Sequence, residues 1–166
     1  MQGHTNDSDD PSKPCPPVEP SGIFSGIDPR AVLIGTLADY LASVPLGLVL
    51  ILVLSFKHSI QFWDENANQA LDALTLTPEF LAWAFLLGML CTTLGGYVAA
   101  HKADCRCVQH GAFVGLTSLF IGFMFHLLSP PEVPLPQWYT MTGVLAAIPS
   151  GAIGGWLTSR LVIAIR

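Results

Sequence analysis

Charged residues are scarce in this sequence. They make up 11% of its 166 residues, and apolar residues make up 51%, whereas an average soluble domain carries about 25% charged residues. A helix that crosses the hydrocarbon core needs roughly 20 predominantly apolar residues. Four stretches meet this length, at about residues 31–56, 80–100, 111–128 and 139–165. The composition therefore predicts an all-α polytopic membrane protein with four transmembrane helices and no room for a separate soluble domain.

The N-terminal segment lacks both the basic start and the apolar run of a signal peptide. Residues 1–28 are instead rich in proline and acidic side chains, which cannot bury enough apolar surface to fold. We therefore expect a disordered tail at residues 1–28, followed by the transmembrane domain at residues 29–166. The sequence Asp28-Pro29-Arg30 marks the start of the first helix, because proline is tolerated in a first helical turn.

Basic residues are almost absent from two of the three loops. The loop after the first helix has only Lys57, and the loop SPPEVPLPQ has none. The other six lie in the tail, in the loop between the second and third spans, and at the C-terminal end: Lys13, Arg30, Lys102, Arg106, Arg160 and Arg166. Basic loops stay in the cytoplasm. Both termini are therefore predicted to be cytoplasmic, in a protein of the bacterial inner membrane.

Catalytic and nucleotide-binding motifs are absent from the sequence. It contains no Walker loop, no His-Glu-x-x-His and no spacing typical of a Ser-His-Asp triad. It also lacks the basic patch of a nucleic-acid-binding protein. The sequence predicts a protein that is not an enzyme, has no cofactor and does not bind nucleic acid.

Cysteine is rare, with four residues in the chain, but two of them lie close together in the loop GGYVAAHKADCRCVQHG. His101, Cys105, Cys107 and His110 would form a soft four-ligand site for zinc or copper(I) if the loop breaks near Cys105. The neighbouring basic side chains alternatively favour reactive, redox-sensing thiolates. Structural zinc sites usually space their cysteines more widely. This spacing favours the third interpretation, an ordinary basic loop.

Acidic residues are missing from the interior of the spans, with the exception of Asp39. An aspartate near a helix centre costs roughly 2.5–3.5 kcal/mol on insertion scales. Asp39 shares a helical row with Ser43 and two glycines, so we expect it to face the bundle. It is either a protonatable group coupled to ion or substrate movement, or a structural carboxylate bonded to Tyr40, to a serine or threonine, or to Arg160. A water-filled cavity that reaches Asp39 would favour transport, and a dry, hydrogen-bonded site would favour structure.

Glycine, in contrast, is abundant and recurs at four-residue spacing along the spans. Such stripes let helix backbones approach closely, which drives association in lipid. They indicate contacts within the bundle or, alternatively, a homo-oligomer interface. The predicted packing positions are Gly35, Gly47, Gly88, Gly95, Gly96, Gly111, Gly115, Gly151, Gly154 and Gly155.

Two pairs of segments indicate an internal repeat. LGGYVAA (residues 94–100) resembles IGGWLTS (residues 153–159), and LASVPLG (residues 41–47) resembles LTSLFIG (residues 116–122). The pattern predicts two repeated helical hairpins related by an axis along the membrane normal. In the longer first loop, residues 64–74 are predicted to form a short amphipathic helix, and Thr77 is predicted to cap the second span.

The segments TLGGYVAAHKA and HGAFVGLTSLF resemble small uncharacterised four-helix bacterial membrane proteins whose second helix ends in Gly-Gly-Tyr. This resemblance implies the fold and brings no activity with it. We expect a structural or accessory subunit that acts through helix packing with partners in the bilayer, in a larger membrane complex or a homo-oligomer. The alternative is an oligomeric transporter or channel that uses the intramembrane Asp39.

Overall fold

The computed structural model describes residues 26–58, 66–103, 106–128 and 134–165 of the chain. These residues form five helices and no strand: α1 (Pro29–Lys57), α2 (Ala67–Thr75), α3 (Pro78–Ala103), α4 (Cys107–Leu128) and α5 (Gln137–Ile165). All except the short α2 are long and apolar enough to cross a membrane. The prediction of an all-α integral membrane protein with four spans is therefore confirmed.

The helix starts follow from local capping chemistry. The Asp28 carboxylate accepts a 2.9 Å hydrogen bond from the Arg30 N–H, and Pro29 occupies the first turn of α1, as the sequence predicts. Thr77 caps α3, because its hydroxyl oxygen accepts from the Phe80 N–H at 3.3 Å. The first residues of the amphipathic helix predicted at residues 64–74 lie outside the described part of the chain, and α2 begins at Ala67.

The other three spans pack around α3. Helix α3 contacts α1, α4 and α5, and α4 also contacts α1 and α5, whereas α1 and α5 make no contact within the described residues. One end of the bundle holds Arg30, Lys102, Arg106 and Arg160, and is called the basic end below. The other end, where α1 finishes at Lys57 and α5 begins at Gln137, is called the opposite end. Helix α2 lies at the opposite end, against α1 and α3.

Glycine packing holds the half of the bundle nearest the basic end together. A Cβ atom added to Gly35 would lie 2.5 Å from the Gly95 carbonyl oxygen, and one added to Gly95 would lie 2.6 Å from the Gly35 oxygen. A Cβ added to Gly96 or to Gly111 would overlap the Gly151 carbonyl. The same backbone overlap would occur at Gly115, Gly151, Gly154 and Gly155. In this half only glycine permits the observed helix separation.

Several glycines towards the opposite end have no such contact. A Cβ added to Gly47, Gly88, Gly122 or Gly143 would meet no heavy atom within 4 Å, so Gly47 and Gly88 depart from the packing role predicted for them. Helices α1 and α3 still meet at this end, where Leu54, Ser55 and Leu81 are buried and Lys57 pairs with Glu79. The bundle is therefore a wedge on the side of α4 and α5, closed at the basic end and open at the opposite end.

The two hairpins share one type of glycine crossing. Gly35 of α1 meets Gly95 of α3, and Gly111 of α4 meets Gly151 of α5. By these contacts, Gly95 in the first hairpin corresponds to Gly151 in the second. By the sequence motifs, Gly95 corresponds to Gly154, because each motif contains a Gly-Gly pair. Gly154 lies almost one helical turn beyond Gly151 along α5. The contacts thus relate the hairpins in a different register from the one the motifs indicate.

The last residues of the predicted tail are packed against the bundle. Ile27 lies against a buried cluster of Val32, Ala99 and Val114. The Asp28 N–H donates a 2.9 Å hydrogen bond to His110 Nε2 of α4. The disordered tail predicted at residues 1–28 therefore does not include residues 26–28, because these have an apolar contact and a polar partner. Its remaining residues, 1–25, lie outside the described part.

Candidate functional site

Asp39 is buried, with 5% of its surface exposed, and three helices contribute hydroxyl groups to its carboxylate. Ser118 of α4 donates a 2.6 Å hydrogen bond to Oδ2. Thr92 of α3 lies 3.4 Å from Oδ2 and 3.5 Å from Oδ1. Ser43, one turn along α1, lies 3.4 Å from Oδ1. The carboxylate thus accepts one short hydrogen bond from Ser118 and one long one from Thr92, because Ser43 donates its proton to the Asp39 carbonyl oxygen at 2.8 Å. It therefore retains acceptor capacity.

The other predicted partners of Asp39 bind elsewhere. The Tyr40 hydroxyl donates to the Ser118 carbonyl oxygen at 3.3 Å and not to the carboxylate. Arg160 stacks over the Trp156 ring at 5.3 Å, at the basic end. Of the partners that the sequence allowed for a structural carboxylate, the structure selects serine and threonine.

A cavity of about 1110 Å³ lies above Asp39 and extends towards the opposite end. It is also open at its side, because Phe120, Phe123 and Met141, which line it, are 61%, 56% and 64% exposed. Helix α4 borders it from Leu116 to His126, which is about 15 Å of helix at 1.5 Å per residue. The cavity reaches Pro134 and Gln137, two exposed residues at the start of α5. Asp39, Tyr40 and Ser43 of α1 form its floor. Three of the four glycines whose added Cβ would meet no atom within 4 Å lie along its walls: Gly88, Gly122 and Gly143.

The walls are apolar above a polar floor. Phe85, Phe120, Phe123 and Tyr139 contribute aromatic surface, and leucine, methionine and alanine side chains contribute most of the rest. No lysine or arginine borders the cavity, within the part of the chain that the structure describes. The arrangement suits a drug-sized molecule, because ligand pockets are typically about 300–1,000 Å³, mostly apolar, with a few placed polar groups.

No known protein family, curated protein or solved structure matches the chain. The resemblance to small four-helix bacterial proteins that the Gly-Gly-Tyr segment carries stays a prediction.

The Asp39 site has a feature of each predicted role. A cavity reaches the carboxylate, which is one part of the condition stated for transport. The carboxylate also accepts hydrogen bonds from Thr92 of α3 and Ser118 of α4, which is one part of the condition stated for a structural role. Asp39 thus links three helices and also lines the cavity.

The histidines and cysteines of the basic loop take separate positions. His110 is 1% exposed, and both its ring nitrogens have backbone partners: Nε2 accepts from Asp28, and Nδ1 lies 3.2 Å from the Arg106 carbonyl oxygen, to which it donates. The exposed His101 stacks on Tyr97 with the ring centroids 6.2 Å apart. The Cys107 thiol lies 3.9 Å from the Ala100 carbonyl oxygen.

Metal binding by this loop stays a prediction. No three His, Cys, Asp or Glu side chains come together as candidate metal ligands among the residues the structure describes. Cys105, one of the four predicted ligands, lies outside them. His110 could bind a metal only by giving up one of its two backbone hydrogen bonds.

Ser118, Thr92 and His126 border the site but are not predicted from the sequence as site residues. Hydroxyl residues in these helices commonly bond to the carbonyl one turn earlier, as Thr117 does to Phe113 and Ser150 does to Ala146. The sequence does not distinguish a hydroxyl that bonds to another helix from one that bonds within its own helix. The one feature of the sequence that could have indicated Ser118 is its depth along α4, which matches the depth of Asp39 along α1.

Proposed function

We propose that the protein is a membrane carrier that takes up a small organic solute in the cavity above Asp39. The observation that supports this proposal most directly is the position of the only acidic side chain inside the spans, at the floor of a cavity large enough for such a solute. Polar groups inside a membrane are expensive to insert and typically mark substrate pathways. Structural hydrogen bonding alone would not require the open volume above the carboxylate.

The wedge shape supports a cavity that is closed at the basic end. Eight glycines close that half, and three glycines whose added Cβ would meet no atom within 4 Å, Gly88, Gly122 and Gly143, line the open part. With the basic end and both termini in the cytoplasm of a bacterial cell, as the distribution of lysine and arginine predicts, the cavity faces away from the cytoplasm. Release on the cytoplasmic side would then require separation of the glycine-packed helices. No covalent chemistry is part of this proposal.

Solute binding is tested by filling the cavity. Gly143→Phe would place an aromatic ring in the open space beside Gly143, whereas Leu145→Phe, two residues along α5, changes a side chain that is 75% exposed and does not border the cavity. Binding of the neutral probe phenylbutanol is measured by equilibrium dialysis on the detergent-purified full chain. We expect binding to wild type and to Leu145→Phe, and loss of binding to a folded Gly143→Phe. Measurable and equal binding to all three proteins would contradict the proposal.

A second candidate function is that of a structural or accessory subunit in a larger membrane complex or a homo-oligomer. The observation that favours it is the convergence of Ser43, Thr92 and Ser118 on Asp39, which ties three helices together without any ligand. In this case the exposed apolar side chains of α1, such as Leu48 and Val53, would face partners as well as lipid. A full-length protein that binds no probe and co-purifies stoichiometrically with another membrane protein would favour this candidate.

A further inference from the structure

Asp39 has no basic counter-ion in the described part of the chain. The ion pairs found there involve Lys57 and His58, both with Glu79 at the opposite end. Arg160 is held over Trp156. The titratable groups that border the cavity besides Asp39 are Tyr40, His126 and Tyr139, none of which is a fixed positive charge. A carboxylate at this depth is favoured by a cation that can reach it, and the cavity gives such a cation room.

The hydroxyl groups at the floor of the cavity already donate their protons to acceptors within the protein. Ser118 and Thr92 donate to the Asp39 carboxylate, Ser43 donates to the Asp39 carbonyl oxygen at 2.8 Å, and Tyr40 donates to the Ser118 carbonyl oxygen. The Ser150 hydroxyl, which also borders the cavity, donates to the Ala146 carbonyl oxygen at 2.6 Å. The floor therefore offers oxygen lone pairs to a ligand, and few free donors. A group that donates hydrogen bonds matches this floor, and one that only accepts them does not.

From the missing counter-ion and the acceptor-rich floor together, we infer that the solute is a protonated primary or secondary amine with an apolar body. Its ammonium group donates to Asp39 at the floor, and its apolar part lies against Phe85, Phe123 and the other apolar side chains of the walls. Hydrogen bonds between an ammonium and a carboxylate are stronger than neutral ones. This inference rests on the proposed function and specifies the class of solute that the cavity takes.

The inference is tested with three probes that share one apolar body and differ in the head group. Phenylbutylammonium is charged and donates hydrogen bonds, phenylbutyl(trimethyl)ammonium is charged and has no N–H, and phenylbutanol is neutral. Binding of each is measured by equilibrium dialysis on the purified full chain at neutral pH. We expect the primary ammonium to bind at least about tenfold more tightly than the alcohol, with the quaternary ammonium between them. A quaternary probe that binds as tightly as the primary one would overturn the hydrogen-bonding part of the inference.

The variant Asp39→Asn tests whether the carboxylate causes the preference for the ammonium probe. It is expected to bring phenylbutylammonium to the affinity of phenylbutanol, whereas Glu79→Gln, which removes an acid outside the cavity, is expected to keep the preference. Equal binding of the ammonium and the alcohol to wild type would overturn the inference. An ammonium preference that persists in Asp39→Asn would also overturn it. Neither result would contradict the proposed function. Failure of every probe to bind wild type would overturn the proposed function itself. If Asp39→Asn does not fold, the comparison of the three probes on wild type decides.

Discussion

The Ser118 hydroxyl of α4 donates a 2.6 Å hydrogen bond to Asp39 Oδ2 of α1, across 79 positions of sequence. This bond lies at the level where the bundle changes from glycine-packed to open. It therefore belongs both to the packing of the closed half and to the floor of the cavity. Both candidate functions depend on this dual position of Asp39.

The bond between Asp39 and Ser118 is expected to contribute measurably to stability. Hydrogen bonds between membrane helices contribute on average about 0.6 kcal/mol and at most about 1.7 kcal/mol in mutant cycles. Because this bond is short and its acceptor is a carboxylate, we expect a coupling free energy near the upper figure. The measurement is a double-mutant cycle of Asp39→Ala and Ser118→Ala, with reversible unfolding in mixed micelles.

Thr117→Ala provides the matched control for this cycle. Thr117 is the neighbour of Ser118, but its hydroxyl donates to the Phe113 carbonyl oxygen of its own helix at 2.8 Å. We expect no coupling between Thr117→Ala and Asp39→Ala. A coupling as large as that of Ser118 would mean that the cycle reports a general disturbance of α4.

The two classes of glycine are expected to respond oppositely to alanine. Gly96→Ala would drive a methyl group into the Gly151 backbone, and overpacking of this kind typically destabilises by about 1–3 kcal/mol. Gly122→Ala meets no atom within 4 Å and should be neutral or stabilising by up to about 1 kcal/mol, because alanine favours the helix. The measurement is the free energy of unfolding of each variant. Equal destabilisation by both would contradict the wedge.

The spans and their starts could be predicted from the sequence because they depend on local properties. The apolar length of each stretch and the Asp28-Pro29 and Thr77-Pro78 boundaries are sufficient to place α1 and α3. The divergence of the helices could not be predicted in this way. Gly88 and Gly96 lie on one stripe with the same spacing, and only the crossing angle of the helices decides that Gly96 is in contact and Gly88 faces a cavity.

The candidate site could be predicted in part. Asp39 stands out because an acid inside a span is expensive. Its partners do not stand out, since Thr92 and Ser118 resemble the many hydroxyl residues that bond within their own helices. His110 is conspicuous in the sequence as a candidate ligand. In the structure its ring nitrogens bond to the Asp28 N–H and the Arg106 carbonyl oxygen instead. The bond to Asp28 depends on where the N-terminal segment packs against α4, which no local sequence pattern predicts.

His110 is expected to stabilise the junction between the N-terminal segment and α4. Replacement by alanine would leave the Asp28 N–H and the Arg106 carbonyl oxygen without the imidazole partner recorded between them. Removing one partner of a buried hydrogen bond costs about 1–3 kcal/mol. We expect His110→Ala to lower the free energy of unfolding by this amount and to speed proteolytic cleavage near residues 26–28.

His101→Ala is the comparison for this variant. His101 lies in the same region but is exposed, and its recorded ring contact is the stack on Tyr97. We expect a change in unfolding free energy within about 0.5 kcal/mol, as for most surface substitutions. If His101→Ala and His110→Ala had the same effect, the two backbone hydrogen bonds of His110 would not be the cause.

The central claim, that a cavity reaches Asp39 from the opposite end, is tested most directly by thiol labelling at two neighbouring residues of α5. Ala146 borders the cavity near its floor, and Leu145 is 75% exposed and lies outside the cavity lining. In a background without the native cysteines, Ala146→Cys and Leu145→Cys are treated in intact membranes with a charged, membrane-impermeant thiol reagent, and again after denaturation. The account predicts labelling of Ala146→Cys in the folded protein and of Leu145→Cys only after denaturation. A folded Ala146→Cys that is as unreactive as Leu145→Cys would contradict it.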